Sequence, residues 1–248
     1  MLNYLKKMLR QPSLSVLMYH KVSEKQTDFL TVTTEQLDQH FEYLKSAGYQ
    51  SITSSEVIKF IEKKEPLPPK SVLITFDDGY HNNLILAYPL LKKYHLKATI
   101  FLPTSFIGQS SSWDVIAEPL MNLEELRMID TNVVEYALHS HKHLNYKYLT
   151  INQMREDLLE NIAFFKQNNL PFSSVFAYPY GSRPKDKKTR LGMKQLMSEL
   201  GIKTAFRIGN RTNFLPLNDC YEIQRVDIRG TETLEEYKKN IYFGKKYL

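Results

Sequence analysis

Two short segments of the chain carry residue types that could do chemistry together. Thr75-Phe76-Asp77-Asp78-Gly79 sets two carboxylates side by side at the end of an apolar run. Adjacent side chains point in different directions, so one carboxylate can bind a metal while the other takes a proton. The competing reading is an ordinary strand-ending Asp-Gly turn. His139-Ser140-His141-Lys142-His143 gathers three of the chain's seven histidines. The i, i+4 spacing predicts His139 and His143 on one face of a helical turn, able to share one cation, with His141 directed away. An exposed polar loop with incidental histidines is the alternative. Joined, the two segments offer an Asp/His/His set, the donors of a catalytic zinc site that keeps positions open for water and a substrate oxygen. A third segment, Phe176-Ala177-Tyr178-Pro179-Tyr180-Gly181, reads as a turn at a strand end. Its backbone N–H groups could polarise a carbonyl or hold a tetrahedral oxyanion.

These residues act together only if the fold brings them to one place. Eight β-type runs, at 14–20, 49–52, 71–76, 97–102, 133–138, 174–177, 204–207 and 222–228, alternate with helical patterns. The nearly continuous apolar runs "SVLITF" and "KATIFL" suit parallel strands covered on both faces. Thr53 with Glu56, Thr150 with Gln153 and Thr233 with Glu236 match the capping-box spacing, and Gly48, Gly201 and Gly244 sit at expected helix stops. Leu37, Phe41 and Leu44 form the apolar stripe of a helix following Thr34. The alternation predicts an α/β fold with a parallel sheet, closed or nearly closed, in one domain over residues 1–248. Residues 66–69 ("PLPP") act as a stiff connector within it. In parallel α/β barrels chemistry collects on loops at the C-terminal strand ends. His20, Asp77, Asp78, His139, Tyr180 and Gly181 all lie at or just past such ends, so they could converge on one mouth.

Composition bounds the chemistry from the other side. A chain of 248 residues with 42% hydrophobic side chains fills a real core, which excludes disorder and fibrous repeats. Cys220 is the only cysteine, so there is no intrachain disulfide and no Cys-rich metal site. Metal chemistry therefore falls to Asp and His. No apolar run approaches the roughly 20 residues of a membrane span. Lys and Arg exceed Asp and Glu by 33 to 27, a net +6 that suits an acidic partner. The charges are dispersed, however, and the Lys187, Lys188 and Arg190 cluster lacks stacking aromatics, so no nucleic-acid partner is expected. In residues 1–11, Leu2, Leu5 and Leu9 can share a helical face away from Lys6, Lys7 and Arg10. A short basic amphipathic helix packed on the domain is the expectation, and a peripheral membrane contact the alternative. That segment lacks the apolar core and cleavage site of a signal peptide, so cytoplasmic residence is expected.

In this order, the motifs resemble those of the polysaccharide deacetylases, the NodB-homology superfamily of carbohydrate esterase family four. "TFDDG" matches that family's first motif, "HSHKH" its His-Ser-x-x-His motif, and "YPYG" its Pro-Tyr-Gly loop. The resemblance covers roughly residues 14 to 228. It implies a distorted (β/α) barrel of about seven to eight parallel strands. It also implies that Asp78, His139 and His143 bind a divalent metal, zinc foremost, with Co2+, Ni2+ or Mn2+ as alternatives. Asp77 would be the general base, and the main-chain N–H of Tyr180 would support the oxyanion. The implied reaction hydrolyses the N-acetyl amide of an amino-sugar polysaccharide or glycoconjugate and releases acetate.

The sequence departs from the family pattern twice. Where the family commonly has an Arg that orients the base, two residues before the motif Pro, this chain has Ala177. Arg225, in "EIQRVDI", is a candidate substitute partner for Asp77, with a structural salt bridge at a barrel end as the alternative. The family's late catalytic His is missing too, since no His follows His143. "VLMYHKV" instead puts His20 at an early strand end, as in the circularly permuted deacetylases of biofilm poly-N-acetylglucosamine. His20 would then protonate the leaving amine, which an amide nitrogen needs in order to leave; a core-packed His is the alternative. Trp113, the only Trp, could wall a sugar or acetyl methyl, or start a helix capped by Asp114. Tyr178 and Pro179 of the third motif are further substrate-contact candidates. Two other functions stay open: a C–N hydrolase acting on a small amide, and a catalytically silent glycan-binding module that Ala177 would suit.

Overall fold

Seven of the eight apolar runs become the parallel strands of a closed barrel in the computed structural model, which describes residues 12–245. They are β1 (Ser13–Tyr19), β2 (Ser71–Asp77), β3 (Ala98–Leu102), β4 (Val134–Leu138), β5 (Ser173–Ala177), β6 (Thr204–Ile208) and β7 (Ile223–Asp227). Each pairs in parallel with the next in sequence, and β1 closes the ring by pairing with both β2 and β7. The eighth run yields only Gln50–Ser51, which pairs with Ser71 and Val72 at the start of β2. Pairing of β3 to β2 begins at Ile74, so only that short edge is left for it. The amphipathic pattern of residues 1–11 lies outside the described residues. Among those described, no helix is long and apolar enough to cross a membrane.

Among the described residues seven α-helices accompany the strands: α1 (Thr34–Ser46), α2 (Ser54–Lys63), α3 (Tyr88–Tyr94), α4 (Leu123–Met128), α5 (Ile151–Gln167), α6 (Lys187–Glu199) and α7 (Leu234–Phe243). The capping boxes at Thr53, Thr150 and Thr233 form as spaced, and Thr33 with Gln36 adds another at α1. Each such cap is worth about 1 kcal/mol. Gly48, Gly201 and Gly244 follow helices with φ of +76°, +81° and +72°.

Strand alternation sorts side chains into two layers. Val16, Leu73, Phe101, Val175, Phe206 and Ile223 fill the barrel interior. Leu17, Tyr19, Ile74, Phe76 and Ile100 pack outward with Leu158 and other helix residues. The same period carries the interior face of β2 from Leu73 through Thr75 to Asp77, and that of β7 from Ile223 through Arg225 to Asp227. On these two strands the charged groups thus follow the apolar ones toward the C-terminal end.

Candidate active site

The mouth of the barrel opens into a cavity of about 670 Å³, lined among others by His20, Asp77, Asp78, Trp113, His139, His143 and Tyr180. Asp78 follows the last residue of β2 and takes φ +73°, a left-handed conformation rare for a residue with a Cβ. Gly79 continues the turn at φ +70°, and a Cβ there would meet Leu102 Cδ2 at 2.4 Å. Tight apolar packing beneath the turn therefore holds Asp78 in place.

His139 and His143 do come together, but not through a helix. Residues 139–145 form an irregular loop with φ of +70° at Ser140 and +50° at His143. Asp157 of α5 organises this loop. Its carboxylate accepts the N–H groups of His141 and Lys142 at 3.0–3.1 Å and the hydroxyl of Tyr146 at 2.8 Å. These hydrogen bonds replace those a helical turn would make, so the two histidines meet through an irregular loop and not through the expected i, i+4 helical spacing. Left-handed residues cost of order 1–3 kcal/mol each and persist where the surroundings over-determine them. His141 faces away, with Nδ1 2.9 Å from Thr104 Oγ1.

Asp78 Oδ1 lies 3.2 Å from His143 Nε2 and 3.4 Å from His139 Nε2. One donor atom from each of the three residues lies within 4.8 Å of the others, and all three residues are buried. His139 Nδ1 meets the Ala177 carbonyl at 2.9 Å, so this nitrogen donates and Nε2 carries the lone pair of the neutral ring. Asp78 Oδ1 is buried without a hydrogen-bond partner among the described residues. Buried acceptors converging on an orphaned carboxylate oxygen fit a divalent cation, and their oxygen-plus-imidazole chemistry suits zinc and its neighbours in the first transition row.

Asp77 sits beside this set. Its Oδ2 is 3.8 Å from His139 Nε2 and 3.9 Å from His20 Nε2. Arg225 donates to it twice, Nη1 to Oδ1 at 2.6 Å and Nη2 to Oδ2 at 2.7 Å. Burial alone would raise the Asp77 pKa. Arg225, with His139 and His20 behind it, outweighs that effect and holds the carboxyl below its ordinary range. Arg225 is fully buried and does not line the cavity, so its part is to position Asp77.

His20 reaches the site by register. Tyr19 pairs with Phe76 on the neighbouring strand, so the residues that follow them, His20 and Asp77, sit side by side at the barrel mouth. The side-chain amide of Asn83 holds the His20 carbonyl at 2.8 Å. His20 Nδ1 is buried without a hydrogen-bond partner among the described residues.

Tyr180 takes φ +58° at the cavity edge, half exposed, its ring 4.7 Å from that of His143. Trp113 covers the other side, its ring centroid 3.9 Å from His143. It starts no helix, because Asp114 accepts the hydroxyls of Ser111 and Tyr80 instead of capping one. Tyr178 is not brought to the cavity. It is fully buried and its hydroxyl donates to the Tyr221 carbonyl at 3.1 Å. Ala177 faces the barrel interior, so alternation turns Tyr178 outward toward Met197 of α6. Pro179 is likewise buried and is not part of the cavity wall.

Asp157, Tyr80 and Asp227 were not singled out from the sequence. A signal existed for Asp157, which interrupts the buried stripe Met154, Leu158, Asn161 and Phe165 of α5. Asp227 lines the cavity with Oδ2 bound by Arg229 Nε at 2.7 Å and Oδ1 buried and unpartnered among the described residues.

Residues 64–205 match the polysaccharide deacetylase family. The chain is 30% identical over 191 residues to the Bacillus subtilis protein YxkH, covering 77% of this chain and 64% of that one. It therefore spans just under two thirds of that relative's length. The poly-beta-1,6-N-acetyl-D-glucosamine N-deacetylase of Staphylococcus epidermidis is 28% identical over 230 residues, 84% of this chain and 76% of that protein. Among solved structures, Streptococcus pyogenes deacetylase PplD in complex with acetate superposes with a TM-score of 0.78 at 19% identity, covering 93% and 99% of the two chains. IcaB from Ammonifex degensii gives 0.74 at 21% identity, covering 92% and 95%. These two likenesses show the shared barrel. With the motifs, the seven-stranded barrel and the family match over more than half its length, the chain belongs to the polysaccharide deacetylase family.

Proposed function

We propose that the protein is a metal-dependent hydrolase that removes N-acetyl groups from an amino-sugar polysaccharide or glycoconjugate and releases acetate. The observation that carries this reading is the placement of Asp77 and His20 on the same cavity as the Asp78, His139 and His143 donors, with Asp77 clamped by Arg225. A binding module needs no paired carboxylate held ionised beside a cation site.

Asp78, His139 and His143 would hold the cation, Zn2+ foremost. When bound, it supplies Lewis-acid polarisation of the acetyl carbonyl and lowers the pKa of water. Asp77 takes the proton of the attacking water, because Arg225 keeps it ionised and oriented toward the cavity. The developing oxyanion is met by the Tyr180 N–H. His20, at the end of the neighbouring strand, gives its proton to the leaving nitrogen as the C–N bond breaks. The products are acetate and the protonated amino sugar, and the proton Asp77 accepted makes good the one His20 gave, so atoms and charge balance. Trp113 and Tyr180 wall the cavity with flat apolar faces suited to a sugar ring or the acetyl methyl. The likeness to the Staphylococcus epidermidis enzyme supports an N-acetylglucosamine polymer as the first substrate to assay.

The test is acetate release from a panel of N-acetylated glycans and glycolipids, after chelation and after adding back Zn2+, Co2+, Ni2+ or Mn2+. Metal-dependent acetate release from a glycan supports the proposal. Release from small amides alone would point to another C–N hydrolase, and no release at all to a binding module.

A further inference from the structure

The Asp78 carboxylate has two differently occupied oxygens. Oδ1 faces the two imidazoles, whereas Oδ2 lies 3.2 Å from the hydroxyl of Tyr80. Tyr80 is fully buried, and its hydroxyl also lies 2.7 Å from Asp114 Oδ2, which Ser111 Oγ binds at 2.7 Å as well. Asp114 Oδ1 is 3.7 Å from Nζ of Lys21, a buried lysine that also pairs with Asp28. We infer that Tyr80 is a positioning residue for the metal centre, its hydroxyl pinning Asp78 Oδ2 so that Oδ1 is presented to the imidazoles. This rests on the metal reading of Asp78.

The physical need is specific. The terminal torsion of a carboxylate is soft and roughly two-fold, so its oxygens exchange places readily unless one is engaged. The Tyr80 hydroxyl engages Oδ2, while His139 and His143 meet Oδ1. It cannot drift, because Asp114 holds it from behind, with Ser111 and Lys21 fixing Asp114 in turn. A phenol carries one proton, so its two carboxylate contacts share it, the shorter and stronger claim being that of Asp114. The same loop touches the centre a second time through Trp113 on His143. Residues 113 and 114 thus brace both a carboxylate and an imidazole of the set.

Tyr80→Phe deletes one oxygen and keeps the buried ring. Its affinity for Co2+ and Zn2+, measured by chelator competition on the full chain, is expected to fall about 10- to 100-fold. The visible spectrum of the Co2+ form should shift as well, with the metal-free melting temperature close to wild type. Ser111→Ala, which does not touch Asp78, leaves Tyr80 the main donor to Asp114 Oδ2. The hydroxyl is thereby drawn from Asp78, and a smaller loss, about two- to threefold, is expected. Metal affinity equal to or above wild type in folded Tyr80→Phe overturns the inference, whatever Ser111→Ala does. Asp78→Ala separates the two levels. If it too binds metal as wild type, the metal reading fails. If it loses metal while Tyr80→Phe does not, only the role of Tyr80 falls.

Discussion

Arg225 grips Asp77 with both terminal nitrogens, at 2.6 and 2.7 Å, across 148 residues of sequence and inside the barrel. Both side chains are almost wholly buried. The Asp77 carboxylate thus has a guanidinium partner delivered from β7, while the third motif carries Ala177 at the corresponding strand end.

Replacing Arg225 by Met should leave a buried, unpaired carboxylate, a change that typically costs about 3–5 kcal/mol. The Asp77 pKa should rise once its main counter-charge is gone, moving the acid limb of the activity profile to higher pH. Thermal melting and the pH profile of acetate release check this. Unchanged values in both would remove Arg225 as the positioning group.

Asp77→Asn should keep bound metal and lose turnover by about 100- to 10,000-fold, the usual worth of a general base. Metal analysis and acetate release on the same sample separate base from ligand. Asp78→Ala, by contrast, should lose the metal.

His20→Ala should lower kcat with little change in KM, since His20 acts on the leaving nitrogen and not on ground-state binding. A substrate with a better leaving group should be affected less. Equal kcat losses on both substrates would argue that His20 only packs the mouth.

Metal affinity should fall with pH. Burial alone would lower the His139 pKa, but the Asp77 and Asp78 carboxylates outweigh it and raise it above the ordinary 6.5. Protons therefore compete for Nε2 from above that pH downward, weakening affinity by about tenfold per pH unit for each proton displaced. In the metal-free protein the sign is opposite. The raised His139 pKa contributes stability that is fully present below the unfolded value and is lost as pH rises through the folded one. Titration calorimetry with Zn2+ between pH 5 and 8, with metal-free melting alongside, reads both trends; affinity independent of pH would contradict the first.

Asp157→Ala should disorder the His139–His143 loop without touching any ligand, since three backbone N–H contacts and the Tyr146 hydroxyl lose their acceptor. Weaker metal binding with an intact barrel, seen by chelator competition and circular dichroism, is the expected outcome.

Much of this protein is legible in one dimension. Nearly continuous apolar runs mark the barrel strands, and Thr-x-x-Glu or Thr-x-x-Gln spacing marks helix starts, because both depend on residues close in sequence. The lone cysteine sent metal chemistry to Asp and His, and Asp78, His139 and His143 do converge. Tertiary structure decided what depends on distant partners. His139 and His143 meet through left-handed backbone and the Asp157 carboxylate, not through helical spacing. Tyr178 turns away because strand alternation sends Ala177 inward. The pairing of Arg225 with Asp77 and the pinning of Asp78 by Tyr80 and Asp114 arise only when the barrel closes, because closure removes water from these charges and leaves each other as partners.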